Sequence, residues 1–142
     1  MQEKNDNLYL ETGLSQIETT EILVEKLEPL IKYITYNIKR YKTPVSMLLF
    51  YTDEDISKKL HEYMRLTDVI KTIKIGESYF NFVFLLFTDN EGSYEFLKNL
   101  EISKLSKVDN YFYYEELEPE IYNIYNLLNS YLFNIAKKES FF

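Results

Sequence analysis

The sequence contains no cysteine and no tryptophan, one histidine, three glycines and three prolines in 142 residues. Without cysteine there is no disulfide scaffold, no thiolate zinc site and no cysteine nucleophile. With His61 as the single histidine, one chain cannot build a metal site from two imidazoles. Gly13, Gly76 and Gly92 lie far apart, so neither a P-loop nor a dinucleotide-binding fingerprint can be written with them. The longest apolar runs, 45–51 (broken by Ser46) and 82–87, fall far short of the ~20 residues needed to span a bilayer. The opening Met-Gln-Glu-Lys-Asn-Asp-Asn is polar and has no apolar stretch of the kind a signal peptide carries, so a soluble cytoplasmic protein is expected.

Acidic residues number 23 against 16 basic ones, for a net charge of −7. Phosphate backbones and anionic membrane surfaces repel such a chain, which argues against nucleic-acid and membrane partners. The chain is 46% hydrophobic and 17% aromatic, with fourteen Tyr and ten Phe, and that composition folds. A chain of this length buries about 70% of the surface its unfolded form exposes, and it reads as one domain. Residues 1–15 form a polar lead-in, and residues 16–142 form the domain.

Steps of three and four place Ile17, Val24, Leu27, Ile31, Ile34, Ile38 and Tyr41 on one stripe of a helix over Gln16–Tyr41, widened by Leu23 and Leu30. Pro29 should kink or split it near Glu28. After Thr43-Pro44, Val45–Thr52 reads as a buried strand. A short helix is expected over 55–64. A strand follows over 68–75, with Val69, Ile73 and Ile75 on one face. Gly76-Glu77-Ser78 makes a turn, and 79–87 is apolar on both faces apart from Asn81, as a central strand would be. A helix over 90–100 should turn Tyr94, Leu97 and Leu100 or Phe96 inward. A fourth strand follows over 108–115. Pro119 opens a last helix with Ile121, Ile124, Tyr125, Leu128, Leu132 and Ile135 buried. The order α-β-α-β-β-α-β-α predicts an α+β fold: a single mixed, largely antiparallel sheet of about four strands with helices packed on it.

Several segments, in order, resemble one family. They are Thr12-Gly13-Leu14 before the first helix and the stretch from Arg40 through Pro44 to Phe50. Further on come Arg65-Leu66-Thr67-Asp68-Val69-Ile70 and Phe82 to Asp89, then Leu127-Leu128 and Ala136-Lys137-Lys138 near the end. In these the chain resembles a GGDEF domain, the fold of diguanylate cyclases, in degenerate form. The resemblance implies a nucleotide-cyclase-like fold on a ferredoxin-like core.

The departures point away from catalysis. The family carries two metal ligands spaced Asp-x-Asp at the end of the first strand. Here the first position is Tyr51 and only Asp53 is acidic. A phenol does not replace a carboxylate on magnesium. The family's nucleotide-binding stretch is absent between Asp53 and Arg65, and the signature turn falls on Ser78-Tyr79-Phe80-Asn81-Phe82, without its glycines or carboxylates. No enzyme activity and no cofactor are expected.

Some residues remain as candidates. Asp53, with Glu54 and Asp55, is a weak candidate for a residual Mg²⁺ site; the preferred reading is an N-cap and acidic first turn. Arg65 and Asp68 match the spacing of the family's inhibitory site for cyclic di-GMP, where arginine can hold phosphate and aspartate can accept from guanine. The alternative is an ordinary helix-to-strand corner. His61 reads as a surface residue. Tyr111 to Tyr114 put rings on both faces of a strand, as core or as interface, and Phe141-Phe142 reads as a frayed tail. Tyr51 and Tyr79 are expected to form a protein-binding patch where the lost nucleotide-binding stretch leaves the sheet uncovered. The 16–41 stripe could also pair with a second copy as a homodimer. The expected function is that of a catalytically inactive regulatory or adaptor module in bacterial signalling, with a protein partner; the alternative is a cyclic di-GMP receptor using Arg65 and Asp68.

Overall fold

The computed structural model describes residues 13–102, 111–117 and 124–139. Its elements are α1 (Gln16–Tyr41), β1 (Val45–Thr52), α2 (Ser57–His61), β2 (Val69–Ile75), β3 (Ser78–Leu86), α3 (Asn90–Ile102), β4 (Tyr111–Glu116) and α4 (Ile124–Glu139). The expected openings of the last strand and last helix, including Pro119 and Ile121, lie outside the described residues, as do the lead-in before Gly13 and Phe141-Phe142. So do the side chains of Leu100, Tyr111 to Tyr114 and Ile135.

The four strands form one sheet in the order β2-β3-β1-β4. The sheet is the largely antiparallel one expected, and each of its three described pairings is antiparallel. The crossovers explain this. The chain leaves β1 through α2 and returns as β2 two places away, and β3 fills the gap. It leaves β3 through α3 and returns as β4, with β1 in the gap. This split arrangement is the ferredoxin-like order. It also makes β1 and β3 the central strands, in keeping with the apolar residues both carry on their two faces.

Helices cover both faces. On one face Met47, Leu49, Tyr51, Phe80, Phe82, Phe84, Ile73 and Ile75 pack against Leu23, Leu27, Ile31, Ile34 and Ile38 of α1 and Leu128 and Leu132 of α4. On the other, Leu48, Phe50, Val83 and Leu85 pack against Ile56, Leu60, Phe96 and Leu97 beside α2 and α3. Phe80, Phe82 and Phe84 are fully buried. Burial of such a side chain contributes roughly 1.5–3 kcal/mol each. Among the described residues no helix is long and apolar enough to cross a membrane.

α1 begins at a capping box. The Ser15 hydroxyl accepts from the Glu18 N–H at 3.1 Å, and the Glu18 carboxylate accepts from the Ser15 N–H at 3.1 Å. The helix runs unsplit through Pro29 for 26 residues. Pro29 stands on the exposed face, as does Glu25, the residue whose usual hydrogen bond it removes. The stripe is rotated at its ends from the expected one: Ile17 is half-buried and Tyr41 is exposed, while Thr19 and Thr20 turn inward beside the expected Leu23. Because the stripe is consumed by the sheet, it is closed to the self-pairing seam suggested by its spacing.

α2 is shorter than expected. Ile56 and Leu60 are buried and hold the one regular turn. Beyond it the chain tightens into three-residue spacings, with Tyr63 N–H donating to the Leu60 carbonyl at 3.0 Å and Met64 N–H to His61 at 3.3 Å. In α3, Ser93, Phe96 and Leu97 face inward, and Tyr94 is exposed instead of buried.

Candidate functional site

At the C-terminal end of β1, Thr52 is buried and its hydroxyl donates to the Glu54 carbonyl at 2.6 Å. Asp53, Glu54 and Asp55 follow, all exposed. Asp55 Oδ1 accepts from the Ser57 N–H at 2.9 Å, one residue ahead of the N-cap position of α2. Hydrogen bonds from the Ser57 side chain, and then from its main chain, hold the Asp55 carboxyl below the usual aspartate range. The triplet thus acts locally on the start of α2, through Asp55. Among the described residues no group of three or more His, Asp or Glu side chains is arranged to hold a metal ion.

Tyr51 stands one step before this loop and points the other way. It is 4% exposed and lies in the core beneath α1 and α4. Its ring stacks on Phe80 with centroids 4.9 Å apart and planes inclined 28°. Its hydroxyl lies 3.4 Å from the Ser78 hydroxyl, which is also buried. Tyr51 is therefore a core residue and not a surface anchor.

Tyr79 is half-buried and carries the Lys74 ammonium 5.5 Å from its ring centroid. It pairs with Thr52, while Tyr51 pairs with Phe80, so the two tyrosines fall on opposite faces of the sheet. They do not share a patch. The expected Tyr51–Tyr79 docking surface is corrected on both counts, burial and facing. The cause is that α1 and α4 cover the face of β1 and β3 on which Tyr51 lies, while the pleat turns Tyr79 to the other face.

On the Tyr79 side of the sheet a polar row crosses three strands. Asn81, fully buried in β3, accepts from the Thr72 hydroxyl at 2.8 Å. Its amide donates to the Phe50 carbonyl and the Thr52 hydroxyl, each at 3.4 Å. The row satisfies the buried amide in the middle of a mainly apolar strand. Gly76 (φ 61°) takes the first corner of the two-residue β2–β3 turn, the type II′ position that favours glycine.

Arg65 and Asp68 meet as their spacing suggested. Arg65 Nη2 donates to Asp68 Oδ1 at 2.9 Å and Nε to Oδ2 at 3.2 Å. The Arg65 N–H also donates to Oδ2, at 2.9 Å. Nη2 further reaches the Leu86 carbonyl and the Thr88 hydroxyl, both at 2.7 Å. The Asp68 side chain is 1% exposed and that of Arg65 is 54% exposed. Both carboxylate oxygens are engaged, and the guanidinium bridges the start of β2 to the end of β3.

The candidates do not converge. Thr52, just before Asp53, pairs with Tyr79 at the turn end of β3, whereas Arg65 binds Leu86 at the far end, opposite Val45. A strand of eight residues separates the two ends, about 20 Å. His61 ends α2 and is exposed.

One exposed group was missed by the sequence reading. Tyr33, Tyr36 and Tyr41 on α1 are 56%, 57% and 57% exposed, and Arg40 sits over two of their rings. A signal was present: no acid occurs between Glu28 and Asp53, in a chain otherwise rich in acids.

No family model matches the sequence. No curated protein matches it either. Among solved structures the chain is similar to PelD 156–455 from Pseudomonas aeruginosa PA14 in complex with c-di-GMP, at 19% identity and a TM-score of 0.47. The match covers 70% of this chain and 41% of that one, so the chain spans about two fifths of that structure's length.

Proposed function

We propose that the chain is a degenerate GGDEF-like domain without cyclase activity that works through protein contacts, as a regulatory or adaptor module in bacterial signalling. The observation that carries this reading is Tyr51. At the position where the family holds a metal-binding carboxylate, the side chain is a phenol in the core, stacked on Phe80. Such a position offers magnesium neither charge nor access. The exposed Asp53 keeps one carboxylate, which by itself makes a weak magnesium site. The experiment is capture from native extract with the purified chain, followed by reconstitution with the captured protein made separately. A saturable one-site complex is expected. Failure of every captured protein to rebind in pure form would overturn the docking role.

A second reading, a cyclic di-GMP receptor, draws on the half-exposed guanidinium of Arg65. Its weakness is Asp68, whose carboxylate is already spent on Arg65 and would have to open to meet a guanine edge. Calorimetry with cyclic di-GMP separates the two. Saturable binding that Arg65→Ala abolishes would favour the receptor; no heat is expected.

A further inference from the structure

We propose that the exposed aromatic and basic face of the C-terminal half of α1 is the docking surface, and that its occupant is an acidic polypeptide segment of a partner protein. This rests on the protein-contact reading above and names the chemistry of the partner.

The platform is rigid. Leu27, Ile31, Ile34 and Ile38 are locked against the sheet, which fixes the direction of everything on the other side of the helix. Tyr33, Tyr36 and Arg40 are spaced by three and four and share that outer side. A helix face meant only for water is usually built from lysine and glutamate. Here it carries two tyrosines, with Tyr41 beside them at the helix end, each more than half exposed. Tyrosine supplies large contact area at low entropic cost, and tyrosine and arginine are the residues in which interface hot spots are enriched.

Arg40 is already arranged for an anion. Its guanidinium lies 6.0 Å from the Tyr36 ring centroid and 5.6 Å from that of Tyr41. A guanidinium held over rings keeps N–H edges for a carboxylate, so little order remains to be gained on binding. The local charge has the sign opposite to the chain as a whole. Net charge is −7, yet Lys32, Lys39, Arg40 and Lys42 occur between Glu28 and Asp53 with no acid among them. All four are exposed.

Charge complementarity selects a compact acidic segment over an anionic lipid surface. A peptide lying along the C-terminal half of α1 feels charges within about one Debye length, ~8 Å; there Lys39, Arg40 and Lys42 outweigh Glu28, which pairs with Lys32 at 3.7 Å. A membrane plane feels the whole domain, and that domain is acidic. The exposed rings are also phenolic, suited to a mixed polar and apolar peptide more than to an acyl layer.

The test uses the full chain and a fluorescein-labelled peptide of Glu-Glu-Leu-Ala repeats, with anisotropy and amide chemical shifts as readouts. Saturable binding at low salt is expected, weakening as salt rises, with shifts concentrated at residues 32–42. Arg40→Glu and the pair Tyr33→Ser with Tyr36→Ser should each weaken it roughly tenfold or more. These side chains are exposed, so circular dichroism should be unchanged. Absence of binding at low salt, shifts elsewhere, or indifference to the variants would overturn the proposal. So would binding to phosphatidylglycerol-containing vesicles in place of the peptide. A partner protein captured equally by Arg40→Glu would overturn this surface while leaving the protein-contact reading in place.

Discussion

Arg65 grips Asp68 through a two-pronged ion pair, Nη2 to Oδ1 at 2.9 Å and Nε to Oδ2 at 3.2 Å, and with the same Nη2 holds the Leu86 carbonyl and the Thr88 hydroxyl. Between those last two residues lies Phe87, a non-glycine residue with φ at 60°. A bulky residue in the left-handed region is strained and persists where its neighbours are fixed from outside. Arg65 fixes both. Arg65→Ala should therefore destabilise the fold by about 1–3 kcal/mol, because it leaves the buried Asp68 carboxylate short of donors. Lysine should restore little, since a point charge cannot make the fork. Urea unfolding measures this; a loss below about 0.3 kcal/mol, the size expected of an ordinary exposed pair, would contradict it.

Gly92 tests the same corner from the helix side. A Cβ there would lie 2.6 Å from Thr88 Cγ2. Thr88 cannot simply turn away, because its hydroxyl accepts from Arg65 and donates to the Leu86 carbonyl at 3.1 Å. Helix propensity alone would favour Gly92→Ala by about 1 kcal/mol, and overpacking opposes it by about 1–3 kcal/mol. A net loss is expected, relieved when Thr88→Ser removes the methyl and keeps the hydroxyl. A single variant more stable than wild type would contradict the contact.

On the proposed reading, Tyr51→Asp introduces a carboxylate at the position where diguanylate cyclases carry one. In this fold it would place that charge in the core beside Phe80. The expected outcome is a loss of about 3 kcal/mol or more and no gain in Mg²⁺ affinity. A stable variant that binds Mg²⁺ would show that the position still faces a usable site.

Much of the fold was legible because β1 and α1 announce themselves. The run Val45–Thr52 is apolar apart from Ser46 and the closing Thr52 and is bounded by Pro44 and an acidic triplet, and the observed strand has those bounds. α1 carries its periodicity for its whole length. What local pattern could not supply was partnership at long range. The closure of Asp68 involves Leu86 and Thr88, which lie far along the chain and on another strand. The burial of Tyr51 depends on two helices, one before β1 and one near the chain's end, meeting over the same face. The missing nucleotide-binding stretch suggested an uncovered sheet, but α1 and α4 cover one side and α2 and α3 the other. The exposed tyrosines of α1 were hidden by counting Tyr41 as part of the buried stripe.

Asp55 gives a pH-dependent prediction. Its folded carboxyl is held below the ordinary range by Ser57, so it gives up its proton more readily than the unfolded one. The contribution is therefore complete above the unfolded aspartate value and fades as pH falls through the folded one. Exposure keeps it small. Ser57→Ala should raise the Asp55 titration midpoint, read from its side-chain carboxyl resonance. It should also narrow the stability gap to wild type as pH falls below ~4. An unchanged midpoint would contradict the assignment of the shift to Ser57.

The most direct measurement is cyclase turnover: the full chain incubated with GTP and Mg²⁺ or Mn²⁺, with cyclic di-GMP followed by chromatography. Lost charge stabilisation at a phosphoryl-transfer site costs several powers of ten in rate. Product at the level of the enzyme-free blank is expected. Metal-dependent synthesis above that blank, abolished by Asp53→Ala, would contradict the reading of this domain as a docking module without catalysis.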